Sequence, residues 1–299
     1  MESVMPKQQI IFITGSTDGL GRRVAERLTT SGVHIVLQGR DVDRGQAVAA
    51  SIAKGGGSAS FHRADYASLS DVVALADAVT RTHAHLDALV NNAGIADFHG
   101  PRRESRDGIE LNFAVNYLAP FLLTHLLKPI LGVERPSRII NVAAAGQMPI
   151  DFDNVMLERN YDGRRACAQS KLANIMHAFD LARERDPARV TANALHPATF
   201  MDTGMVRATG IRPVNSVETG ADAILALLMR PDLAGTSGLY FDGQQDARAN
   251  PQAYDTDARR RLRTLSIGLI EKALGSSLNE IARPQNPRSQ NQGSARDSG

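Results

Sequence analysis

Cysteine is nearly absent from this sequence: Cys167 is the only one in 299 residues. An intrachain disulfide and a cysteine-built zinc cluster are both excluded. Neither sign of charge is in marked excess, since 34 Lys and Arg stand against 32 Asp and Glu for a formal net charge of +2. So small an imbalance gives no electrostatic case for nucleic acid or a membrane surface as partner. No apolar run approaches the roughly 20 residues of a membrane span, and residues 1–8 are too short for a signal peptide. A cytoplasmic protein is the expectation. There is no internal repeat and no sign of a second domain.

What is present suits a single α/β domain, because 42% hydrophobic residues over this length can form a large core. The chain is organised around residues 9–40. QIIFIT at 9–14 is almost wholly apolar, as expected of a strand buried on both faces. It breaks at Gly15-Ser16-Thr17-Asp18-Gly19-Leu20-Gly21 and resumes with Val24, Ala25 and Leu28 at helical spacing. A second buried strand, HIVLQGR at 34–40, follows. Strand, glycine turn, helix and parallel strand make a right-handed crossover. Its glycines let the backbone pass close to a diphosphate, whose charge a helix N-terminus stabilises. The seven residues from Gly15 to Gly21 are therefore the candidate nucleotide site, the alternative being an ordinary glycine turn.

Arg40 closes the second strand. A carboxylate there would hold the ribose diol of NAD, whereas a guanidinium favours a 2′-phosphate. NADP is expected over NAD, unless Arg40 merely pairs with Asp41 or Asp43 on the surface. Further strands are expected at 58–63, 86–92, 137–142, 189–197 and 238–243, making a parallel sheet of about seven. Helices are expected at 41–54, 68–82, 103–131 and 217–229, with an amphipathic one at 255–274. The domain then spans 9–274, with a short arm at 1–8 and a disordered tail at 275–299, where few apolar anchors remain.

Two more segments carry a resemblance. NNAG, ending in Asn92-Ala93-Gly94, closes the fourth strand, and ACAQSKLANIM at 166–176 carries Lys171 on a helix. With the glycine turn, these resemble the short-chain dehydrogenase/reductase family. Ser170 and Asn174 suit its retinol-dehydrogenase-like branch. The resemblance implies a Rossmann-type doubly wound parallel sheet, a nicotinamide nucleotide and carbonyl–alcohol chemistry. It implies that Asp65, with Tyr66 beside it, meets the adenine, although a turn or cap role for Asp65 is the alternative. Asn92, Ala93 and Gly94 would pass over the cofactor, Pro197 would pass the nicotinamide, and Thr199 or Thr203 would meet its carboxamide or the diphosphate. Lys171 and Asn116 would serve catalysis, Asn116 by helping to hold a relay water near the lysine.

The resemblance also exposes two departures. Ala144 stands where the family has its catalytic serine, and Cys167 where it has the tyrosine four residues before the lysine. Alanine has no hydroxyl to offer a substrate. A thiol is more acidic than a phenol, and Lys171 one turn away is expected to lower its pKa further. Its sulfur, however, reaches roughly 3–4 Å less far from Cα than a phenol oxygen, more than a hydrogen bond's length. Tyr161, in the loop between the two altered positions, is a candidate replacement. Apolar residues at 198–216 suggest a lid over a substrate with nonpolar surface, possibilities including conjugated or polycyclic carbonyls. Three functions stay open: an oxidoreductase with a proton from Cys167, water or substrate; a non-redox enzyme; and a cofactor-binding protein without catalysis. A homo-oligomer is left open as well.

Overall fold

The computed structural model describes residues 8–29, 32–96 and 98–282. Strands β1 (Gln9–Ile13), β2 (Val33–Gly39), β3 (Ser58–Arg63), β4 (Ala88–Asn91), β5 (Ser137–Val142), β6 (Val190–His196), β7 (Tyr240–Asp242) and β8 (Gln245–Ala247) form one sheet. Their order is β3-β2-β1-β4-β5-β6-β7-β8, and every neighbouring pair is parallel except β7–β8. The helices are α1 (Gly19–Arg27), α2 (Val42–Lys54), α3 (Leu69–Thr82), α4 (Leu111–Phe113), α5 (Ala119–Leu127), α6 (Gly163–Glu184), α7 (Gly204–Ala208), α8 (Val217–Met229), α9 (Thr256–Leu274) and α10 (Leu278–Ile281).

Alternation along the apolar strands divides the core between two faces. Phe12, Val36, Leu89 and Ile139 point one way, into a cluster with residues of α3, α5, α6 and α9. Ile11, Ile13, Ile35, Leu37 and Val90 point the other way, against α1, α2 and α8. From β1 the chain runs outward through β2 to β3, then returns to place β4 on the opposite side of β1. That reversal opens a crevice at the carboxyl ends of β1 and β4, where open α/β sheets bind ligands. The glycine turn after β1 and NNAG after β4 are its two walls.

Three expectations need correction. Among the described residues the sheet has eight strands, because the chain reverses at Gly243–Gln244 and adds antiparallel β8; Gly243 takes the positive φ (58°) that such a turn needs. The long helix begins at Leu111 rather than near 103. Gly108 sits at φ 73°, and the Glu110 carboxylate caps Phe113 N. It is also not uniform, since residues 114–118 make a π-helical turn before α5. Finally, the expected tail begins with structure: Ser277 caps α10 and Leu278 is buried. Residues 1–7 of the arm and 283–299 of the tail lie outside the described residues. No helix among the described residues is long and apolar enough to cross a membrane.

Packing of α5 and α6 has a consequence for acid stability. Burial, reinforced by Lys128 and Arg263, pushes His125 down to about 4 and His177 to about 3. Both stay neutral in the fold, so below pH 6.5 protons go first to the unfolded chain. Stability is then lost as pH falls from about 6.5 toward the folded values, on the order of 3 kcal/mol from His177 by pH 4. Thermal melts between pH 7.5 and 4.5 should show this decline, and His177→Leu should flatten part of it. An unchanged slope in that variant would contradict the assignment.

Candidate nucleotide-binding and active site

The glycine turn and NNAG are locked together by backbone proximity. Thr14 Oγ1 accepts from Asn92 N and Ala93 N, both at 3.0 Å. Asn92 Nδ2 donates back to Thr14 O (2.8 Å) and Gly15 O (3.2 Å). Side chains are excluded between them. A Cβ on Gly15, which sits at φ 63°, would lie 2.8 Å from Ala93 Cα, and one on Gly21 would lie 2.4 Å from both Gly15 O and Asn92 Nδ2. The Asn92 side chain thus ties the two walls together. Beneath the site Asn91 ties β4 to β5 and α5, donating to Asn141 Oδ1 (2.8 Å) and Thr124 Oγ1 (3.0 Å).

Ser16 is also turned inward: it is buried, and its hydroxyl accepts from Gln38 N at 3.0 Å. Gln38 was not singled out from the sequence, yet it accepts from Gly15 N (2.9 Å) and donates to Ala64 O (2.8 Å). One side chain therefore joins the turn, β2 and the segment after β3. A glutamine inside the apolar run of β2 was the available signal. Gly39 leaves space for Thr17, whose methyl would otherwise lie 2.5 Å from a Cβ. Asp18 is exposed and caps α1, accepting from Gly19 N (2.8 Å), while Leu20 is buried against Gly220 of α8.

At the adenine end expected from the sequence, Arg40 is exposed at the close of β2. Asp41 pairs with Arg44 rather than with Arg40, and no salt bridge to Arg40 occurs among the described residues. Asp65 forms a turn, its Oδ1 accepting from Ala67 N (3.0 Å), with Oδ2 3.8 Å from Arg106. Tyr66 is buried, its hydroxyl has no hydrogen-bond partner of ordinary geometry, and burial raises its pKa above the usual phenol range.

At the opposite end, Gly94, Asn116 and Lys171 converge. A Cβ on Gly94 would meet Asn116 Oδ1 at 3.0 Å and Lys171 Nζ at 3.1 Å. Asn116 lies in the π-helical turn, a local widening frequent at functional positions. Its Oδ1 accepts from Ile95 N (2.7 Å), and its Nδ2 donates to Ile95 O (3.1 Å) and Ser170 Oγ (2.9 Å). The amide's donors are thus spent holding the chain after β4 to α6. Lys171 Nζ donates to Val142 O at 3.1 Å, and burial lowers its pKa, with Cys167 opposing.

Cys167 is nine-tenths buried one turn before Lys171, with Sγ 3.9 Å from Ile95 O. Here the expectation from neighbouring charge is corrected. Burial raises the thiol pKa, Lys171 lowers it by less, and Glu110 adds to the rise. The group is a thiol, not a thiolate. Ala144 follows β5; its carbonyl accepts from Gln147 Nε2 (3.0 Å) and from Tyr240 Oη (3.1 Å). The Tyr161 hydroxyl is turned to α4, where it donates to the buried Glu110 carboxylate at 3.3 Å and accepts from Asn112 at 3.5 Å. Glu110, also missed from sequence, caps α4 with its second oxygen.

The chain after β6 closes over the glycine turn. His196 Nε2 lies 3.0 Å from Thr199 Oγ1, and Asn215 Nδ2 donates to Thr199 O (2.7 Å). His196 is buried, which lowers its pKa, in keeping with a structural imidazole at the strand end. Pro197 is buried beside it. Thr203 caps α7 and its methyl lies 3.3 Å from a Cβ placed on Gly19. Of the two threonines, Thr203 is the one over the helix N-terminus.

The arrangement has relatives. The family model described as short chain dehydrogenase matches residues 9–212. The chain belongs to the short-chain dehydrogenase family. Among related short-chain dehydrogenases, Retinol dehydrogenase 13 of Homo sapiens is 34% identical over 282 residues, covering 87% of this chain and 84% of that one. Retinol dehydrogenase 14 of Mus musculus is 33% identical over 293 residues, covering 87% and 86%. In structure, an uncharacterized protein from Mycobacterium paratuberculosis superposes with a TM-score of 0.72 at 25% identity, covering 91% of this chain and 95% of that one. A short chain dehydrogenase from Escherichia coli CFT073, complexed with NADPH, gives 0.65 at 24% identity, covering 80% and 97%, and attests the shared fold. This short-chain dehydrogenase thus has an oxidoreductase scaffold, and the family match at 9–212 includes both the glycine turn and Lys171.

Proposed function

We propose that this protein is an NADP(H)-dependent oxidoreductase acting on an apolar carbonyl or alcohol, in which the family's serine and tyrosine are replaced by Ala144 and Cys167. The observation that carries the reading is the convergence of Asn116 and Lys171 on Gly94 at the carboxyl edge of the sheet, where a Cβ placed on Gly94 would lie 3.0 Å from Asn116 Oδ1 and 3.1 Å from Lys171 Nζ. The residues fit a nicotinamide nucleotide: the glycine turn admits no side chain toward NNAG, and Arg40 has no acidic partner among the described residues, which leaves its guanidinium for a 2′-phosphate. Arg40, Thr17 and the N-terminus of α1 would hold its phosphates, and Gly94 would leave room beside its ring.

When bound, the nicotinamide supplies the hydride that reduces the carbonyl carbon, or takes it in the reverse direction. The chain must manage the proton. Ala144 has no hydroxyl to orient the substrate oxygen, and Cys167 holds its proton too firmly and too far back. Lys171 carries the role instead: desolvation weakens its hold on a proton, which it passes through a bridging water to the substrate oxygen. Asn116 positions the lysine's surroundings. Conjugated or polycyclic carbonyls suit this arrangement, because an enolate or phenolate spreads the negative charge before the proton arrives. Met148, Phe200 and Met205 are exposed on the two segments flanking this edge, supporting apolar substrate contacts.

The same two replacements favour a second reading, nucleotide binding without turnover. Purified protein, NADPH and a panel of quinones and conjugated ketones separate them when nicotinamide absorbance and substrate mass are followed together. Oxidation of NADPH in step with a product heavier by two hydrogens is the expected outcome. Product without NADPH oxidation would overturn the redox assignment, and binding without either would select the second reading.

A further inference from the structure

A cavity of about 280 Å³ lies away from the sheet edge, walled by α5, α6, α9 and α10. Tyr117, Phe121, Leu181 and Leu262 give it an apolar interior. The Tyr117 hydroxyl is already satisfied by Ser266 at 2.8 Å, so the ring is what it offers. The ionic groups of the wall balance, with Lys128, Arg259 and Arg263 against Asp180, Glu184 and Glu271. His125 and His177, pushed down by burial to about 4 and about 3, add no charge near neutrality. Such a wall favours an uncharged occupant over an ion of either sign. One of its groups can also react. Lys128 Nζ is 3.1 Å from Glu184, but Arg263 pairs with that same carboxylate and, never giving up its own proton, weakens its hold on the ammonium. Burial, then Arg185 and Arg263, lowers Lys128 to about 8. Roughly a fifth of it is then free amine at pH 7.4, on the order of a hundredfold more than for an ordinary lysine.

We propose that this cavity holds an apolar aldehyde as a Schiff base on Lys128, with the body of the aldehyde against Phe121 and Tyr117. Glu184 takes one ammonium proton, and the freed nitrogen adds to the carbonyl carbon. The oxygen collects that proton and a second from the nitrogen and leaves as water, so C=N replaces C=O. Nothing is oxidised or reduced, and no co-reactant is required. The protonated imine keeps one positive charge at Nζ, beside Glu184. Three cations therefore still face three carboxylates after the bond forms, a balance that a bound acid or amine would break. A volume of 280 Å³ has room for roughly a dozen non-hydrogen atoms at protein packing density, the size of a bicyclic aromatic aldehyde. Nothing in this site belongs to the nucleotide crevice, so the proposal stands independently of the redox reading.

The test treats the full chain with 2-naphthaldehyde and cyanoborohydride, which reduces an imine to a stable amine, and maps the label by mass spectrometry. The chain has five lysines, of which Lys54 and Lys272 are exposed and serve as internal references. At pH 7.4 the label should enter Lys128 at least about tenfold faster than either reference, with or without saturating NADPH. Its rate should reach half of its maximum near pH 8. Glyceraldehyde, small and polar, should show no such preference. Lys128→Arg keeps a cation for Glu184 and should remove the fast label. Leu262→Phe narrows the hollow with the amine intact and should slow labelling by about tenfold; it serves as the second test if Lys128→Arg melts early. Equal rates at Lys128 and the references, or a fast label on Lys171 in place of Lys128, would overturn the proposal. So would a fast label that survives Lys128→Arg, indifference to Leu262→Phe, or the same preference with glyceraldehyde.

Discussion

Ala144→Ser/Cys167→Tyr raises kcat for ketone reduction by about 10²–10⁴-fold, the usual worth of a positioned general acid. Lys171 stands one helical turn after position 167 with its pKa already lowered by burial, so a phenol there gains a cationic neighbour at once. Serine at 144 sits at the half-buried end of β5, where Gln147 and Tyr240 hold the backbone carbonyl and leave the side chain to the opening. Neither position touches the glycine turn, so NADPH affinity should stay within about threefold. A rise in kcat with little change in KM marks an interaction made in the transition state. Steady-state kinetics of the double and single variants supply the comparison. A double variant that binds NADPH normally but turns over no faster would mean that the vacated hydroxyls are not what limits this protein.

Gly21→Ala should remove NADPH binding to below one-hundredth of the parent's affinity. The added methyl would lie 2.4 Å from Gly15 O and from Asn92 Nδ2, and neither can withdraw. Gly15 belongs to the turn itself, and the Asn92 amide is held by Thr14 O and Gly15 O. The walls must part, displacing the backbone that would cradle the diphosphate, at a cost in stability of about 1–3 kcal/mol typical of overpacking. Gly268→Ala on α9 is the control. Beyond its chain neighbours and the backbone of its own helix, no atom of the described residues lies within 4 Å of the added Cβ, so it should leave NADPH affinity unchanged and stabilise the helix by up to about 1 kcal/mol. Calorimetric titration and thermal melts of both variants check this pair. Retained affinity in Gly21→Ala would contradict the packing account of the turn.

Much of the fold was legible because its signals are local and agree with one another. The apolar runs of β1, β2 and β5, and caps such as Asp41, Ser68 and Ser216, mark their elements by themselves. The short hairpin strand β8 was not, since QDA has no apolar pattern and is defined by pairing with β7. The 111–127 helix was entered too early because residues 103–110 look helical by composition, while Gly108 and the Glu110 cap stop it. Glycine spacing and Lys171 marked the candidate site. What spacing could not show was the direction of side chains: Ser16 and Asn92 turn inward, Tyr161 is committed to Glu110, and the Cys167 thiol answers to burial before it answers to Lys171. Each depends on neighbours distant in sequence.

The central claim is a nicotinamide nucleotide across the carboxyl edge of β1 and β4 with its 2′-phosphate on Arg40. Titration calorimetry of the parent chain and of Arg40→Asp with NADPH and NADH tests it most directly. The account predicts that the parent binds NADPH at least tenfold more tightly than NADH, and that Arg40→Asp reverses the order. Heat from neither nucleotide in the parent chain would contradict the claim, and equal affinities left unmoved by Arg40→Asp would remove the phosphate from Arg40.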